Sequence, residues 1–222
     1  MENRDGMVKN KLALFGSFVI LCICMYLFFP FPNNSMLEAR TTFMSFPIQD
    51  QDGYISLGII GSVLFVVALI LLVIGMKKYQ VRTILAVGLV YTFLPNLLIT
   101  AYQETLASGI AAISYDNNGQ CNFELVDQKM SGECNLVLHN RSNETVSFEL
   151  EFIDSFFMED DVQMELLINL AGPYRITIEA NQKESIQIKE LLDLSDVPRH
   201  IDGGESSGIH FHITENGQTR TL

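Results

Sequence analysis

Residues 55–76 read ISLGIIGSVLFVVALILLVIGM, and no charged side chain interrupts them. A helix of these residues is about 33 Å long at 1.5 Å per residue, which is enough to cross a hydrocarbon core of about 30 Å. Two further uncharged runs flank it, LALFGSFVILCICMYLFFPF at 12–31 and ILAVGLVYTFLPNLLITAY at 84–102. The sequence therefore predicts a membrane domain, residues 1–103, that contains three transmembrane α-helices at about 12–31, 55–76 and 84–102.

Positive charges beside the three runs predict how they are oriented. Three Lys or Arg precede the first run, one lies in the loop 32–54, three lie in the link 77–83, and none lies between residue 102 and Lys129. Since cytoplasmic loops carry the excess of Lys and Arg, the N-terminus is expected in the cytoplasm and the C-terminal domain outside it. The predicted localisation is the plasma membrane, with several spans and an extracytoplasmic C-terminal domain.

The first run has a rival interpretation as a cleaved signal peptide. It is about 20 residues long, whereas the apolar region of a signal peptide has about 7–15 residues. The nearest small-residue site, Leu37-Glu38-Ala39, departs from the A-x-A cleavage pattern. A retained membrane anchor is therefore expected.

Charge is distributed unevenly along the chain. Residues 1–101 carry seven Lys or Arg and five Asp or Glu, a balance of +2, whereas residues 102–222 carry seven and 21, a balance of −14. Nucleic acid and anionic lipid headgroups both repel so acidic a domain, which argues against nucleic-acid binding. The expected partners are the lipid bilayer and a membrane or cell-envelope protein.

The C-terminal half shows the alternating pattern of short β-strands. The clearest example is 145–153, where Val146, Phe148, Leu150 and Phe152 share one face and polar side chains share the other. Similar alternation recurs at 121–127, 133–139, 164–170, 174–178, 186–188 and 209–214. Residues 121–222 are therefore expected to form an antiparallel, seven-stranded immunoglobulin-like β-sandwich, after a linker at 104–120 and with a short helix or irregular crossover at 190–197. This resemblance is one of architecture, since the chain has no Trp.

Cys121 and Cys134 are the two cysteines of the C-terminal domain. On an oxidising side of the membrane they could form a disulfide worth about 3 kcal/mol. If Ser131-Gly132 forms the hairpin turn, however, Cys134 lies opposite residue 127, roughly 20 Å along the strand from Cys121. The sequence therefore leaves two alternatives, a disulfide or two thiols in the core.

Histidines are the strongest candidates for a metal site. His210 and His212 alternate on the polar face of the last strand, and His139 lies on the polar face of another strand. Three such side chains on one sheet could bind Zn²⁺, provided that their strands are neighbours. Solvent-facing histidines are the simpler interpretation, so no metal and no cofactor is expected.

Acidic residues gather at Glu159-Asp160-Asp161, with Asp154 and Glu165 nearby. Oxygen ligands of this kind bind Ca²⁺, but the spacing matches no defined calcium loop, and a solvated acidic turn is the simpler interpretation. The sequence also lacks the nucleophile elbow, the zinc-protease motif and the glycine-rich phosphate loop. A non-enzymatic protein is therefore expected.

Three hypotheses for the function follow. The first is a non-catalytic membrane protein whose acidic β-sandwich binds another envelope or surface component. Its best binding loop is 196–208, with Arg199, His200, Asp202 and Glu205, because long, polar, glycine-rich loops often carry binding. The second is a sensor or regulatory subunit that signals through the helices of a partner. The third is a metal-dependent enzyme that uses the three histidines.

Overall fold

The computed structural model describes residues 7–33, 39–50, 53–126, 129–154, 163–195, 197 and 199–222. Its backbone divides into two compact units. One unit, called here the helical unit, comprises Met1–Phe31 and Ser35–Ile99, and the other, called here the β-unit, comprises Pro32–Asn34 and Thr100–Leu222. The division falls within a helix, so the last turn of that helix belongs to the β-unit.

The described part of the helical unit consists mainly of three α-helices, α1 (Lys11–Leu27), α2 (Ser56–Gly75) and α3 (Gln80–Thr105), the last of which ends in the β-unit. Of these, α2 and α3 are long and apolar enough to cross a membrane. Helix α1 is apolar but has only 17 residues. It begins at the N-cap Asn10, whose side chain accepts from two main-chain amides. It ends before Pro30 and Pro32, so it is shorter than the predicted run 12–31.

Helices α1 and α2 form an antiparallel pair along a seam of mostly small residues. The buried positions of α2 recur at intervals of three and four: Gly58, Gly61, Phe65, Ala68, Leu72 and Gly75. This spacing keeps one stripe of the helix against its neighbour. A Cβ at Gly75 would lie 2.9 Å from the main-chain nitrogen of Leu14, and the Ser17 hydroxyl donates to the Ala68 carbonyl at 2.7 Å. The glycines therefore permit close approach of the two helices.

A short hairpin, β1 (Thr41–Phe43) and β2 (Phe46–Gln49), covers one end of this pair, within the predicted loop 32–54. Its Phe46 joins Phe28, Phe65 and Tyr91 in an edge-to-face aromatic cluster. Gly58 lies so close to the hairpin that an added Cβ would meet the Pro47 carbonyl oxygen. Gly58 therefore permits close contact between α2 and β2.

The β-unit is formed almost entirely of strands. They are β3 (Ile113–Tyr115), β4 (Gln120–Val126), β5 (Lys129–Asn140), β6 (Val146–Ile153), β7 (Tyr174–Ile178), β8 (Lys183–Leu192), β9 (Gly204–Ser207), β10 (His210–Glu215) and β11 (Gln218–Thr221). Two 3₁₀ helices, Gly109–Ala112 and Glu165–Leu170, complete the unit. All described pairings between these strands are antiparallel.

The strands lie in two sheets. One has the order β3-β5-β4-β9, with β8 also paired to β5, and the other has the order β11-β10-β6-β7. Both sheets contribute buried side chains to one core, including Phe123, Leu136, Phe148, Leu150 and Phe211. Each such side chain contributes about 1.5–3 kcal/mol by its burial, so this shared core holds the two sheets together.

The structure corrects several details of the predicted sandwich. The described β-unit has nine strands rather than seven, because β3, β9 and β11 add to the predicted set. Residues 164–170, predicted as a strand, form a 3₁₀ helix that buries Leu167 and Ile168. Residues 190–192, predicted outside any strand, extend β8. The predicted linker 104–120 contains the end of α3, the first 3₁₀ helix and β3.

Candidate binding surface at one end of the β-unit

Strand β5 defines two ends of the β-unit. Its first residue, Lys129, pairs with Val126 where the β4–β5 hairpin closes, and its last, Asn140, pairs with Ile113. Eleven residue steps of about 3.3 Å separate these positions by roughly 36 Å. The end at Lys129 is called here the distal end. The end at Asn140, where Arg141 bonds to Glu104 in the last turn of α3, is called the junction end.

Exposed apolar side chains collect at the distal end. Beyond residue 106, the large apolar side chains that are exposed in the described part of the chain are Leu125 (56%), Val126 (43%), Leu166 (39%), Leu170 (54%) and Leu191 (57%). These five residues are called here the distal patch. By register Leu125 lies on the inner face of its sheet, and Val126 and Leu191 lie on the outer face. Apolar side chains exposed at one end of a domain are suited to an interaction surface.

Four residues of the patch are exposed for local reasons. Leu125 has the same orientation as buried Cys121 and Phe123. Strand β9 begins at Gly204, opposite Phe123, so no residue of β9 lies opposite Leu125. Leu191 lies on the outer face of β8, next to buried Leu192. Leu166 and Leu170 lie on the outer side of the second 3₁₀ helix, which the Asn169 side chain anchors to both main-chain groups of Phe152. The backbone therefore holds the patch in place.

A pair of acidic side chains supports the distal end from within. The Asp154 carboxylate accepts from the main-chain amides of Met164 at 3.0 Å and Leu166 at 2.8 Å, and the Ser206 hydroxyl donates to Glu165. Glu165 is 1% exposed. Burial raises the pKa of the Asp154 carboxyl above its usual range; the two amides oppose this shift and Glu165 adds to it. The pair therefore links β6, the 3₁₀ helix and β9.

The predicted binding loop lies at the same end. Gln163 and His200 form an isolated bridge, in which Gln163 donates to the Arg199 carbonyl and accepts from the Ile201 amide. The ring nitrogen Nδ1 of His200 lies 3.0 Å from the Val197 carbonyl oxygen. Arg199 and Asp202 are exposed, and Glu205 lies in β9 opposite Asn122. The structure therefore brings these four residues to the edge of the distal patch, although it does not gather them around one pocket.

The three histidines do not lie on one sheet, so the requirement for a common zinc site, that their strands be neighbours, is not met. His139 lies in β5, whereas His210 and His212 lie in β10, which pairs only with β6 and β11 among the described strands. His212 contacts the Thr221 hydroxyl at 3.0 Å, and Nδ1 of His210 is buried without a partner in the described structure. Burial lowers the pKa of His210 and, with Arg141 and Lys183, that of His139.

In the part of the chain that the structure describes, no three His, Cys, Asp or Glu side chains are placed to bind one metal ion. The acidic run Glu159-Asp160-Asp161 lies outside the described residues. Of the acidic set considered for Ca²⁺, the structure thus brings together only Asp154 and Glu165, as a buried pair.

A disulfide joins Cys121 to Cys134. The two residues lie directly opposite each other in the β4–β5 ladder. The alternative of free core thiols depended on a turn at Ser131-Gly132, and that turn was placed wrongly. The ladder closes between Val126 and Lys129, and Gly132 lies within β5, where the Ile168 side chain packs over it. The bond therefore clamps the central hairpin of one sheet.

The junction end contains polar residues that the sequence did not reveal. Arg220 is buried, and its guanidinium donates to the carbonyls of Pro32, Ile110 and Ile113. The Gln103 amide, in the last turn of α3, donates to the carbonyls of Ala111 and Ile113 at 3.0 Å each. Arg220 lies in the wholly polar strand QTRT, which gives no alternation to mark it as buried. The last turn of α3 is thus bonded to the β-unit.

Comparison with protein-family models, with curated proteins and with solved structures found no match for the chain. The geometry described above is therefore the basis for any functional assignment.

Proposed function

We propose that the chain is an integral membrane protein with three spans, whose extracytoplasmic β-unit binds another envelope or surface component without catalysis. The observation that carries this proposal is the distal patch, because the large exposed apolar side chains of the described residues beyond Leu106 concentrate at one end of the β-unit. An anchored domain that displays an apolar surface at its free end is suited to contact with a partner.

Charge around the patch indicates the chemistry of that partner. Among the described residues near it, the exposed carboxylates are Glu124, Asp193, Asp202 and Glu205, and the exposed cations are Lys129, Arg199 and Lys189, the last of which is paired with Glu133. Complementary interfaces place opposite charges at the rim of an apolar centre. The expected partner is therefore an envelope protein with an apolar surface bordered mainly by Lys or Arg.

Three features support the proposed membrane arrangement. Helices α2 and α3 have the length and composition of spans, and α1 has 17 residues, the lower end of the usual range. The Lys and Arg counts favour an external β-unit. The Cys121–Cys134 disulfide is typical of proteins on the oxidising side of a membrane.

We also propose that the sandwich is immunoglobulin-like. When the short strands β3 and β9 are set aside, the sheet orders are β4-β5-β8 and β11-β10-β6-β7. These orders correspond to strands A-B-E and G-F-C-C′ of an immunoglobulin domain. On this assignment the A–B, C–C′ and E–F connections lie at the distal end with the patch, and the B–C and F–G connections lie at the junction end.

Photo-crosslinking in living cells tests the binding proposal. A photoreactive residue at Leu170 or Leu191 is expected to yield one crosslinked partner, whereas the same residue at exposed Gln187, on the middle of β8, is expected to yield none. The purified partner should then lose at least tenfold in affinity for the full-length variant L170S/L191S. Equal crosslinking at Leu191 and Gln187, or unchanged affinity of the variant, would contradict the proposal.

A second candidate function, a sensor or regulatory subunit, is favoured by the junction end. Gln103 and Glu104 bond the last turn of α3 to residues 111–113 and to Arg141, and Arg220 donates to the Ile113 carbonyl that Gln103 also bonds. Such bonds would transmit a change in the β-unit to that turn. If this candidate is correct, the variant R220Q will keep its affinity for the distal partner but lose the cellular response to it.

A further inference from the structure

Many polar side chains of the apolar helices are hydrogen-bonded within the chain. The hydroxyls of Ser17, Ser62, Tyr91 and Thr92 each donate to a main-chain carbonyl. In hydrocarbon this is required, because no water is present to bond a polar group. A polar side chain that lacks such a bond therefore indicates a partner outside the chain.

Among the carboxamides of the three described helices, Asn96 of α3 is the one without such a bond. Its carboxamide is exposed and has no hydrogen-bond partner in the described structure. It lies three residues from the middle of the predicted span 84–102, and Phe93, Leu97 and Leu98 around it are exposed apolar side chains. It does not bond a carbonyl freed by Pro95 within its own helix. An amide left unpaired at this depth is unfavourable in lipid.

The face of α3 that carries Asn96 is also open to close approach. Gly88, Thr92 and Asn96 follow one another at intervals of four residues and lie on one side of the helix. A Cβ built on Gly88 would meet no atom within 4 Å, so nothing in the chain packs there. The Thr92 hydroxyl is already bonded to the Gly88 carbonyl at 2.9 Å. A second helix could therefore reach the amide without a steric barrier.

From these observations we infer that α3 pairs with α3 of a second copy of this chain, with the two Asn96 carboxamides bonded to each other. This inference rests on the proposed membrane location. The occupant is a second copy because a carboxamide both donates and accepts, so one amide complements an identical one across a two-fold axis. Tyr91, which contacts Phe65 and Leu21, lies about 140° around the helix from Asn96 at 100° per residue, so these contacts leave the Asn96 side of the helix uncovered.

Sedimentation equilibrium of the full-length chain in mild detergent tests the inference. The wild-type chain should shift with concentration from 25.0 kDa to twice that mass. The variant N96L should raise the dimer dissociation constant about tenfold, which corresponds to about 1.4 kcal/mol. The variant N96Q keeps the amide and should retain the dimer.

Two further variants distinguish this face from a general effect on α3. Isoleucine at Gly88 should separate the helices and weaken the dimer. Alanine at Leu97, which is exposed and lies 2.5 turns from Gly88 and hence on the opposite side, should leave it unchanged. A monomeric wild-type chain, an unchanged constant in N96L, or an Asn96-dependent complex with a different protein would each overturn the inference.

Alkaline extraction of membranes from the same cells separates this inference from the proposed function. If the chain remains in the membrane pellet but is monomeric, only the pairing of α3 is refuted. If the chain is released into the soluble fraction, the membrane location is refuted and the pairing with it.

Discussion

At the scale of single residues, two neighbouring asparagines show how structure distinguishes what sequence does not. Asn140 and Asn143 both lie in Asn-x-Ser/Thr sequences of one turn. The Asn140 side chain is fully buried, donates to the carbonyls of Glu144, Ile178 and Glu179, and accepts from Ser142. Asn143 is exposed and bonds only Asn181 among described residues. The first is a structural residue of the core and the second is a surface residue.

Substitution by alanine should therefore affect the two positions very differently. N140A leaves several buried main-chain groups unpaired, at about 1–3 kcal/mol for each group that water does not reach. We expect a loss of about 3 kcal/mol in the free energy of unfolding, against less than about 0.5 kcal/mol for N143A. Chemical denaturation of the full-length variants in detergent measures both. Similar losses for the two variants would show that the Asn140 network contributes nothing.

The Asp154–Glu165 pair predicts a dependence of stability on pH. Burial raises the pKa of Asp154 in the folded state above its value in the unfolded chain, so folding favours the protonated form. Its contribution to stability is therefore fully present below the unfolded pKa and is lost as the pH rises through the folded pKa. The variant D154N keeps an acceptor for the amides of Met164 and Leu166 but does not titrate.

Thermal unfolding of the β-unit in the full-length chain, followed by near-ultraviolet circular dichroism from pH 4 to pH 8, measures this effect. The wild-type melting temperature should fall more steeply with rising pH than that of D154N. The control D202N, at an exposed position, should follow the wild-type curve. A slope in D154N as steep as the wild-type slope would exclude Asp154 as the titrating group.

At the scale of elements, the alternation of apolar and polar residues predicted the strands that have an apolar face. It did not predict the strands that have no apolar face. The apolar faces of β4, β5, β6 and β10 were all found by sequence. Strands β9 (GESS) and β11 (QTRT) have no apolar residue, and they form because neighbouring backbones offer partners. In 164–170 the buried positions Met164, Leu167 and Ile168 follow helical spacing, which alternation at every second residue concealed.

The candidate site was predictable only in part, for a related reason. The loop with Arg199 and Asp202 was predicted from its composition, and the structure brings it to the distal end. The apolar part of the surface was missed because Leu125 and Leu191 resemble core residues in the sequence. Their exposure depends on where β9 pairs with β4 and on which face of β8 is covered. Both depend on the register of strand pairing, which the residue pattern of one strand does not give.

Helix α2 provides a prediction about its own packing. A Cβ at Gly58 would overlap the Pro47 carbonyl oxygen, whereas a Cβ at Gly88 would meet no described atom within 4 Å. Alanine at Gly58 must therefore displace the hairpin, while alanine at Gly88 leaves the helical unit intact. Cys24 is fully buried in this unit and reports the difference. In a C22S background, maleimide should label Cys24 at least tenfold faster in G58A than in G88A, and equal rates would contradict the packing described here.

At the scale of the whole molecule, the cysteines connect the fold to the location of the β-unit. Two thiols, Cys22 and Cys24, lie in α1, and the other two cysteines form the disulfide of the β-unit. Cytosolic reductants keep such bonds open, whereas an external domain retains them. The redox state of Cys121 and Cys134 in the cell therefore reports the side of the membrane on which the β-unit folds.

We expect cells quenched with acid, denatured and treated with a mass-tagged maleimide to yield a chain with two tags, and a chain with four tags after reduction. The variant C121S should yield three tags without reduction, which is the matched control for the bond. An impermeant maleimide added to intact cells should label E184C, on the exposed edge of β8, but not K78C in the link between α2 and α3. Four tags without reduction, together with labelling of K78C alone, would place the β-unit in the cytoplasm. Both the external partner and the oxidised hairpin would then be refuted by one set of measurements, because each depends on the same orientation.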